Sequence, residues 1–376
     1  MRNKITVGIL FGGKSAEHEV SLQSAKNVYD AIDRSRYDPV LIGIDKSGRW
    51  LLNDASRFLL NSEDPRHISL NSAGERVALI PQSGGILSGA VLRENADGES
   101  GGDSGDGGLK LDVVFPILHG PFGEDGTVQG LLKLADIPFV GCGVLGSAAG
   151  MDKDVMKRLL RDAGIPIGKF IAFDSRDVTR SFDSVTEAVG LPFFVKPANM
   201  GSSVGIHKVH NEAEYAPAVT DAFQYDNKII LEEFIPGREL ECAILGNENP
   251  EASVPGEVIS SHEFYSYDAK YLDEKGAVLK IPAEIPEETA RRVRELALRT
   301  FKTLCCEGLS RVDFFLRENG EILVNEINTM PGFTRISMYP KLWEASGISY
   351  TELIGRLIDL ALERFKRERK LITSVV

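Results

Sequence analysis

Hydrophobic and polar positions along the 376-residue chain fall into two regimes. In the first, short, continuously apolar runs alternate with helix-period stretches. Ile5–Phe11 is such a run and ends at Gly12-Gly13; a helical pattern over about residues 17–32 follows, then the run Val40–Ile44, which stops at Asp45 and the turn Lys46-Ser47-Gly48. Asp112–Leu118 leads into His119-Gly120, and Pro138–Val140 precedes Gly141-Cys142-Gly143. Apolar runs separated by helices predict buried parallel strands in a layered α/β domain, here residues 1–142. A helix over about 152–163 follows, stopped by Gly164 with Pro166 beyond it. From Phe193 onward, pairs of period-two strands replace the alternation, so a second, α+β architecture begins near residue 143. Two long helices, 287–304 and 350–370, come last. Val293, Leu296, Ala297, Thr300, Phe301 and Leu304 share one stripe of the first. In the second, Ser349 and Glu352 form a capping-box pattern ahead of Leu353, Ile354, Leu357 and Ile358. Both read as scaffold, and the basic end at 363–370 as a solvated last turn whose cations suit the helix dipole.

Composition narrows the picture. At 43% hydrophobic and 26% charged residues the chain is ordinary globular material, neither disordered nor fibrous. Residues 94–108 are the exception: six glycines and five acids with no large apolar side chain predict a mobile insert. The net charge of −12 argues against nucleic-acid or anionic-membrane partners. A nucleotide would have to meet cations gathered locally, or a metal. No stretch approaches the roughly 18 apolar residues that span a bilayer. Arg2 and Lys4 precede an apolar run too short for a secretion signal, one that ends in glycines like a first strand. Cys142, Cys242, Cys305 and Cys306 form no CxxC pair and read as small hydrophobes in a reducing, cytoplasmic setting.

The most informative chemistry lies in residues 311–328. Both halves alternate with period two, and Asn319-Gly320 suggests a two-residue type I′ turn. That turn sets Asp313 opposite Glu326 and Arg311 opposite Asn328, all on one face. Carboxylates paired across a ladder, with Cβ atoms about 5 Å apart, repel one another. A hard divalent cation would reverse the sign, with Asn328 as a third oxygen and phosphate oxygens completing the shell. The alternative is a solvated hairpin face. Residues 193–209 deliver Lys196 from a strand and then offer the backbone N–H groups of Asn199–Gly205 with the hydroxyls of Ser202 and Ser203. This suits a phosphate flap or an ordinary long hairpin, and it is not a Walker A loop, whose lysine follows the glycines. Residues 229–240 run through Glu232-Glu233 and the turn Pro236-Gly237 to Glu239, a hinge fit for an adenine edge and ribose hydroxyls or simply a solvated turn. At 12–22 a Gly turn enters a helix N-terminus carrying Glu17 and Glu19, which favour an ammonium group over an anion or simply complement the helix dipole at a plain βα turn. At 119–130 a Gly-rich loop after a strand holds His119, Glu124 and Asp125.

In this order, GGKSAEHEVSL, HGPFGEDGTVQG, MDKDVMKRLLRDAGIP, VKPANMGSSVGI, EEFIPGRE, FYSYDAKY and NEINTMPGFT resemble the D-alanine–D-alanine ligases of the ATP-grasp superfamily, over about residues 5–360. The resemblance implies an ATP-grasp fold: an N-terminal substrate-binding α/β domain (1–142), a central lid (143–233) and a C-terminal domain (234–376) with a closing loop at 262–285. It implies that ATP joins two D-alanines through an acyl phosphate. Lys153, Lys196 and Ser203 would contact ATP phosphates; Glu232, Glu233, Ile235 and Glu239 would hold adenine and ribose, with Phe315, Asn325 and Glu326 beside them. Asp313, Glu326 and Asn328 would bind two Mg²⁺ (or Mn²⁺). Arg311 and the Gly332 N–H would serve as oxyanion donors. Glu17 would grip the first ammonium in a set with Ser202 and Tyr271; His119, Ser337, Met338 and Lys270 would place the second substrate. Tyr271 matches the dipeptide-forming pattern and argues against D-lactate, while D-serine stays open as second substrate; a non-catalytic ATP-binding regulator is the remote alternative. The family also implies a homodimer.

Overall fold

The computed structural model describes residues 4–62, 64, 67–89, 109–177, 180–260 and 277–372. The expected insert at 94–108, Lys270, Tyr271 and the first part of the expected closing loop lie outside the described residues.

The opening alternation folds as expected. Strand β1 (Ile5–Gly12) pairs in parallel with β2 (Tyr37–Ile44) on one side and β9 (Val113–Ile117) on the other, with α1 (His18–Ala31) as the crossover. These strands are flanked on both faces, which is why they read as unbroken apolar runs. Beyond β2 the sheet changes character. β3 (Trp50–Asn53), β6 (Glu75–Leu79), β7 (Ile86–Gly89) and β8 (Leu109–Lys110) extend it antiparallel, and β4 (Leu59–Leu60) pairs with β5 (Ser69–Leu70) apart from it. The domain expected to be parallel is therefore mixed. Pro138–Val140 makes a single parallel bridge, Val114 to Phe139, rather than a strand.

Helices α2 (Thr127–Leu134), α3 (Val144–Met151) and α4 (Lys153–Asp162) lead to the second sheet, and Asp152 caps α4 by accepting the Val155 N–H. That sheet has the order β10–β13–β11–β12: β10 (Phe170–Asp174), β13 (Lys228–Glu233), β11 (Phe193–Pro197) and β12 (His207–Val209), backed by α5 (Phe182–Val189) and α6 (Glu212–Ala222). The third sheet runs β17–β16–β14–β18–β19, with β15 (Glu251–Ala252) also on β14. Its members are β14 (Arg238–Gly246), β16 (Gly256–Ser260), β17 (Ala277–Lys280), β18 (Gly308–Leu316) and β19 (Ile322–Asn328); α7 (Glu287–Thr303), α8 (Met338–Ala345) and α9 (Tyr350–Glu368) pack around it.

One apolar core joins the first and third sheets. Val7, Ile9 and Phe11 of β1 cluster with Leu22 and Val28 of α1 and with Leu353, Ile354, Leu357 and Ile358 of α9, all essentially buried. The capping box is half formed: Ser349 Oγ accepts the Glu352 N–H, but the Glu352 carboxylate turns to Arg356. The basic end of α9 is not uniformly solvated. Arg364 is 4% exposed, donates to the carbonyls of Phe139 (2.7 Å) and Gly141, and stacks on the Phe139 ring. Those carbonyls sit where the chain leaves the first sheet and lack ladder partners, which is what draws a charge inward.

Candidate functional site

A cleft of about 740 Å³ opens between the three sheets, and every expected site residue that lies among the described residues lines it. It collects the C-terminal ends of β1 and β9, the flap between β11 and β12, the hinge between β13 and β14, and the β18–β19 hairpin. Ligand sites in α/β sheets gather at such strand ends.

The hairpin gives the expected pairs, Asp313 opposite Glu326 and Arg311 opposite Asn328, but by a different route. The turn is not type I′. Asn319 lacks the positive φ that this turn requires, Gly320 alone has one (φ 82°), and Arg317 N–H donates to Glu321 O, enclosing three residues. That moves the register by one, so Phe314 pairs with Val324 and Phe315 with Leu323. A bulge at Asn325 moves it back before the acids are reached. Two offsets cancel.

Arg311 lies between two acids. Its Nε and Nη2 donate to Asp313 at 2.7 Å each, and Nε is 2.7 Å from Glu241 Oε2. Glu241, on β14 directly opposite Asp313, was not foreseen; nothing in the local sequence reveals a partner 72 positions away. Asn328 Nδ2 donates to Asp313 Oδ2 at 3.0 Å. Among the described residues no three His, Cys, Asp or Glu side chains cluster for a metal. The oxygen set at the hairpin is two facing carboxylates and an amide, which fits a hard divalent cation sharing phosphate oxygens. Such a cation would compete with Arg311 for Asp313, leaving Glu241 to hold the guanidinium.

Three lysines converge above the hairpin. Lys153, at the start of α4, donates to Met200 O at 2.7 Å and lies 3.7 Å from Glu326. Lys157, one turn on, and Lys196 on β11 grip opposite oxygens of Glu232, each at 2.7 Å. Burial raises the Glu232 carboxyl, yet the two ammonium groups outweigh it and hold the pKa down to about 2. Burial likewise disfavours the Lys196 charge, and Glu232 more than restores it, leaving the lysine raised. Lys157 was missed. Its i+4 spacing from Lys153 in MDKDVMK was the available clue.

The flap is strained where it meets the first domain. Ser202 (φ 49°) and Ser203 (φ 62°) are consecutive left-handed non-glycine residues, a conformation costing about 1–3 kcal/mol each and concentrated at functional sites. Ser202 Oγ donates to Glu17 Oε1. Glu17 occupies the N-cap position of α1 without a side-chain capping bond; the residue is 7% exposed, and its carboxylate is closely flanked by Gly120 and Gly201. Glu124 is part-buried in this wall; desolvation and the nearby Glu17 charge push its pKa up to about 8. Its oxygens accept Gly120 N–H at 2.7 Å and Met330 N–H at 3.0 Å. Both ring nitrogens of His119 are engaged, Nδ1 on Met330 O at 3.0 Å and Nε2 on Ser24 Oγ at 3.3 Å. Burial lowers its pKa, keeping it neutral, and the network makes Nδ1 the protonated nitrogen.

At the hinge, Glu233 accepts Lys169 N–H at 2.7 Å and pairs with Arg317 at 3.3 Å, while Ile235 and Glu239 line the cleft. Phe315 and Asn325 line it from the hairpin. At the other end Ser337 Oγ accepts Thr334 N–H at 3.1 Å beside Gly332, and Met338 begins α8.

Fold and site together define an ATP-grasp enzyme: a lysine-lined flap, an acidic hairpin and a hinge around one cleft. The family models for the D-ala D-ala ligase N-terminus and C-terminus match residues 6–142 and 159–359. A D-alanine–D-alanine ligase of Oceanobacillus iheyensis is 56% identical over 372 residues, 99% of both chains. The D-alanine–D-alanine ligase A of Escherichia coli K12 is 53% identical, covering 99% of this chain and all of its own. Among solved structures, the D-alanine-D-alanine ligase from Coxiella burnetii is similar with a TM-score of 0.82 at 36% identity, covering 98% of this chain and 96% of its own. The VanG D-Ala:D-Ser ligase from Enterococcus faecalis has a TM-score of 0.81 at 36% identity, covering 96% of this chain and all of its own. The chain belongs to the D-alanine–D-alanine ligase family.

Proposed function

We propose that the protein is a cytoplasmic homodimer, divided into domains at 1–142, 143–233 and 234–376, that condenses two D-alanine molecules to D-alanyl-D-alanine with ATP, giving ADP and phosphate for cell-wall precursor synthesis. The observation that carries this reading is that one cleft collects every described residue expected of the site. No helix among the described residues is long and apolar enough to cross a membrane.

ATP lies under the flap. Lys153, Lys196 and the Ser203 region meet its phosphates, and the hinge from Glu232 to Glu239, with Phe315 and Asn325, meets adenine and ribose. Because the Glu232 side chain is committed to Lys157 and Lys196, it acts by holding those cations in place. Glu17, aligned by Ser202 and by Tyr271, takes the ammonium of the first D-alanine. That places its carboxylate to attack the γ-phosphate; the new P–O bond forms as ADP leaves, giving D-alanyl phosphate. Asp313, Glu326 and Asn328 would hold two Mg²⁺ or Mn²⁺, supplying positive charge to the phosphate oxygens. The deprotonated amine of the second D-alanine, placed by Ser337 and Met338 on the wall shared with His119, with Lys270 proposed to bind its carboxylate, attacks the acyl carbon. Arg311 and Gly332 N–H meet the developing oxyanion, and inorganic phosphate departs. Closure of the 262–285 loop keeps water from the acyl phosphate.

The test is ATP turnover with Mg²⁺ and D-alanine, L-alanine, D-alanine plus D-serine, or D-alanine plus D-lactate, with products identified by mass. D-Ala-D-Ala from D-alanine alone, with L-alanine inert, is the expected result. A dominant mixed D-Ala-D-Ser product would shift the assignment towards the second structural relative, and hydrolysis without ligation would contradict it.

Gly201→Ala probes Glu17 without touching it. The added Cβ would lie 2.9 Å from Glu17 Oε2, a clash that moving the carboxylate relieves. The melting temperature should hold while kcat/KM for D-alanine falls about tenfold or more, in line with a small displacement of a positioning group. Unchanged kinetics would remove Glu17 from the ammonium site.

A further inference from the structure

The backbone of residues 330–333 is held from the first sheet by three side chains. Met330 N–H donates to Glu124 at 3.0 Å, Met330 O accepts from His119 at 3.0 Å, and Phe333 N–H donates to Ser24 Oγ at 3.3 Å. Ser24 in turn reaches His119 Nε2, and the second oxygen of Glu124 holds Gly120 N–H. Ser24 and His119 are 0% and 4% exposed. On the far side Tyr350 OH donates to Phe333 O. Gly332 lies between the clamped residues, and Pro331 before it has no N–H of its own.

We infer that Glu124, His119 and Ser24 are positioning residues that clamp the Met330–Phe333 backbone and so fix the direction of the Gly332 N–H. This rests on the reading that Gly332 donates to the oxyanion. A donor stabilises a transition state only where its N–H points at the developing charge without rearrangement. A four-residue loop pinned at its first N–H, first carbonyl and last N–H has little freedom left to misdirect the N–H between them. It also changes the part expected of His119. With a neutral ring donating through Nδ1 and accepting at Nε2, it has no remaining polar atom for a substrate, and it acts through the loop. The coupling runs between β9 and α1 on one side and the loop after β19 on the other, so the donor is set by residues more than 200 positions away.

The test compares Glu124→Gln, Ser24→Ala and the double variant by steady-state kinetics and by hydrogen exchange of the peptide spanning 329–338. The glutamine amide keeps one acceptor and presents an N–H to the other donor, so one of two clamps is lost. Glu124→Gln should lower kcat about tenfold to a hundredfold, a part of what losing an oxyanion donor costs. The KM values for ATP and for both D-alanines should stay within about twofold, as expected when only the transition state is affected. Exchange at 329–334 should rise. Ser24→Ala, which removes the acceptor of the Phe333 N–H and the donor to His119 Nε2, should act in the same direction, and the double variant should fall short of the product of the two effects. A raised KM for the second D-alanine with kcat intact would overturn the inference in favour of direct substrate contact. A fall in kcat with exchange unchanged would overturn it too, because Glu124 would then act by another route. Faster exchange with kcat unchanged would show the clamp to exist while refuting Gly332 as the donor, and the ligase activity itself would stand.

Discussion

Glu326→Gln should abolish ligation while leaving the fold intact. The expected loss in kcat is about a thousandfold or more, the scale on which removing charge stabilisation from phosphoryl transfer acts. The reasoning is electrostatic. Glu326 faces Asp313 across the ladder, and two such carboxylates raise the energy of the protein by themselves. A divalent cation shared by the pair, as proposed above, would turn that repulsion into attraction. The amide keeps the size and one oxygen and removes the charge. Its loss relieves the repulsion and weakens the attraction to Lys153, 3.7 Å away, and to Lys196, two opposed effects that should leave the unfolding midpoint close to that of the wild type. Binding of Mn²⁺ followed by spin resonance in the presence of ATP supplies a readout independent of turnover, and it should weaken in step with kcat. Undiminished activity or undiminished Mn²⁺ binding would remove Glu326 from the metal site.

Glu232→Gln should produce the largest loss of stability. Lys157 and Lys196 would be left buried and facing each other across a neutral amide. Breaking a buried ion pair by removing one partner typically costs about 3–5 kcal/mol. The pKa points to a similar size: a carboxyl moved from 4.5 down to about 2 corresponds to about 3 kcal/mol at neutral pH. The sign follows from the direction. A depressed carboxyl contributes its stability above the unfolded pKa of 4.5 and loses it as the pH falls towards 2. The wild-type protein should therefore be the more stable at pH 7, and the difference between the two should shrink as the pH drops through that window. Chemical denaturation of both proteins between pH 7 and pH 3 measures it. Equal stability at pH 7, or a gap that grows in acid, would mean that the lysines do not depend on Glu232.

The parts of this architecture that depend on local pattern were legible in the sequence. Ile5–Phe11, Val40–Ile44 and Asp112–Leu118 read as buried parallel strands because both of their faces are covered, and β1, β2 and β9 are such strands. The stretch between β2 and β9 was not legible, because its short antiparallel strands alternate with no helix and show no long apolar run. The hairpin shows a subtler limit. Period two fixed the face of Arg311, Asp313, Glu326 and Asn328, while the three-residue turn and the bulge at Asn325, each invisible to the pattern, cancelled. Lys157 was within reach through its spacing from Lys153. Glu241, Ser24 and the partners of Glu124 were not, since each acts across a contact that only the folded chain creates. Arg364 was hidden for the same reason: a cation near a helix end looks solvated until the carbonyls of Phe139 and Gly141 are seen above it.

The central claim is that ATP activates one D-alanine carboxylate as an acyl phosphate and that a second D-alanine takes the acyl group. D-alanine labelled with ¹⁸O in its carboxylate tests this in a single reaction, with the nucleotide, phosphate and dipeptide products all examined by mass. The account predicts D-Ala-D-Ala together with ADP and inorganic phosphate carrying one ¹⁸O from the carboxylate. Label appearing in AMP, or unlabelled phosphate released alongside the dipeptide, would contradict it.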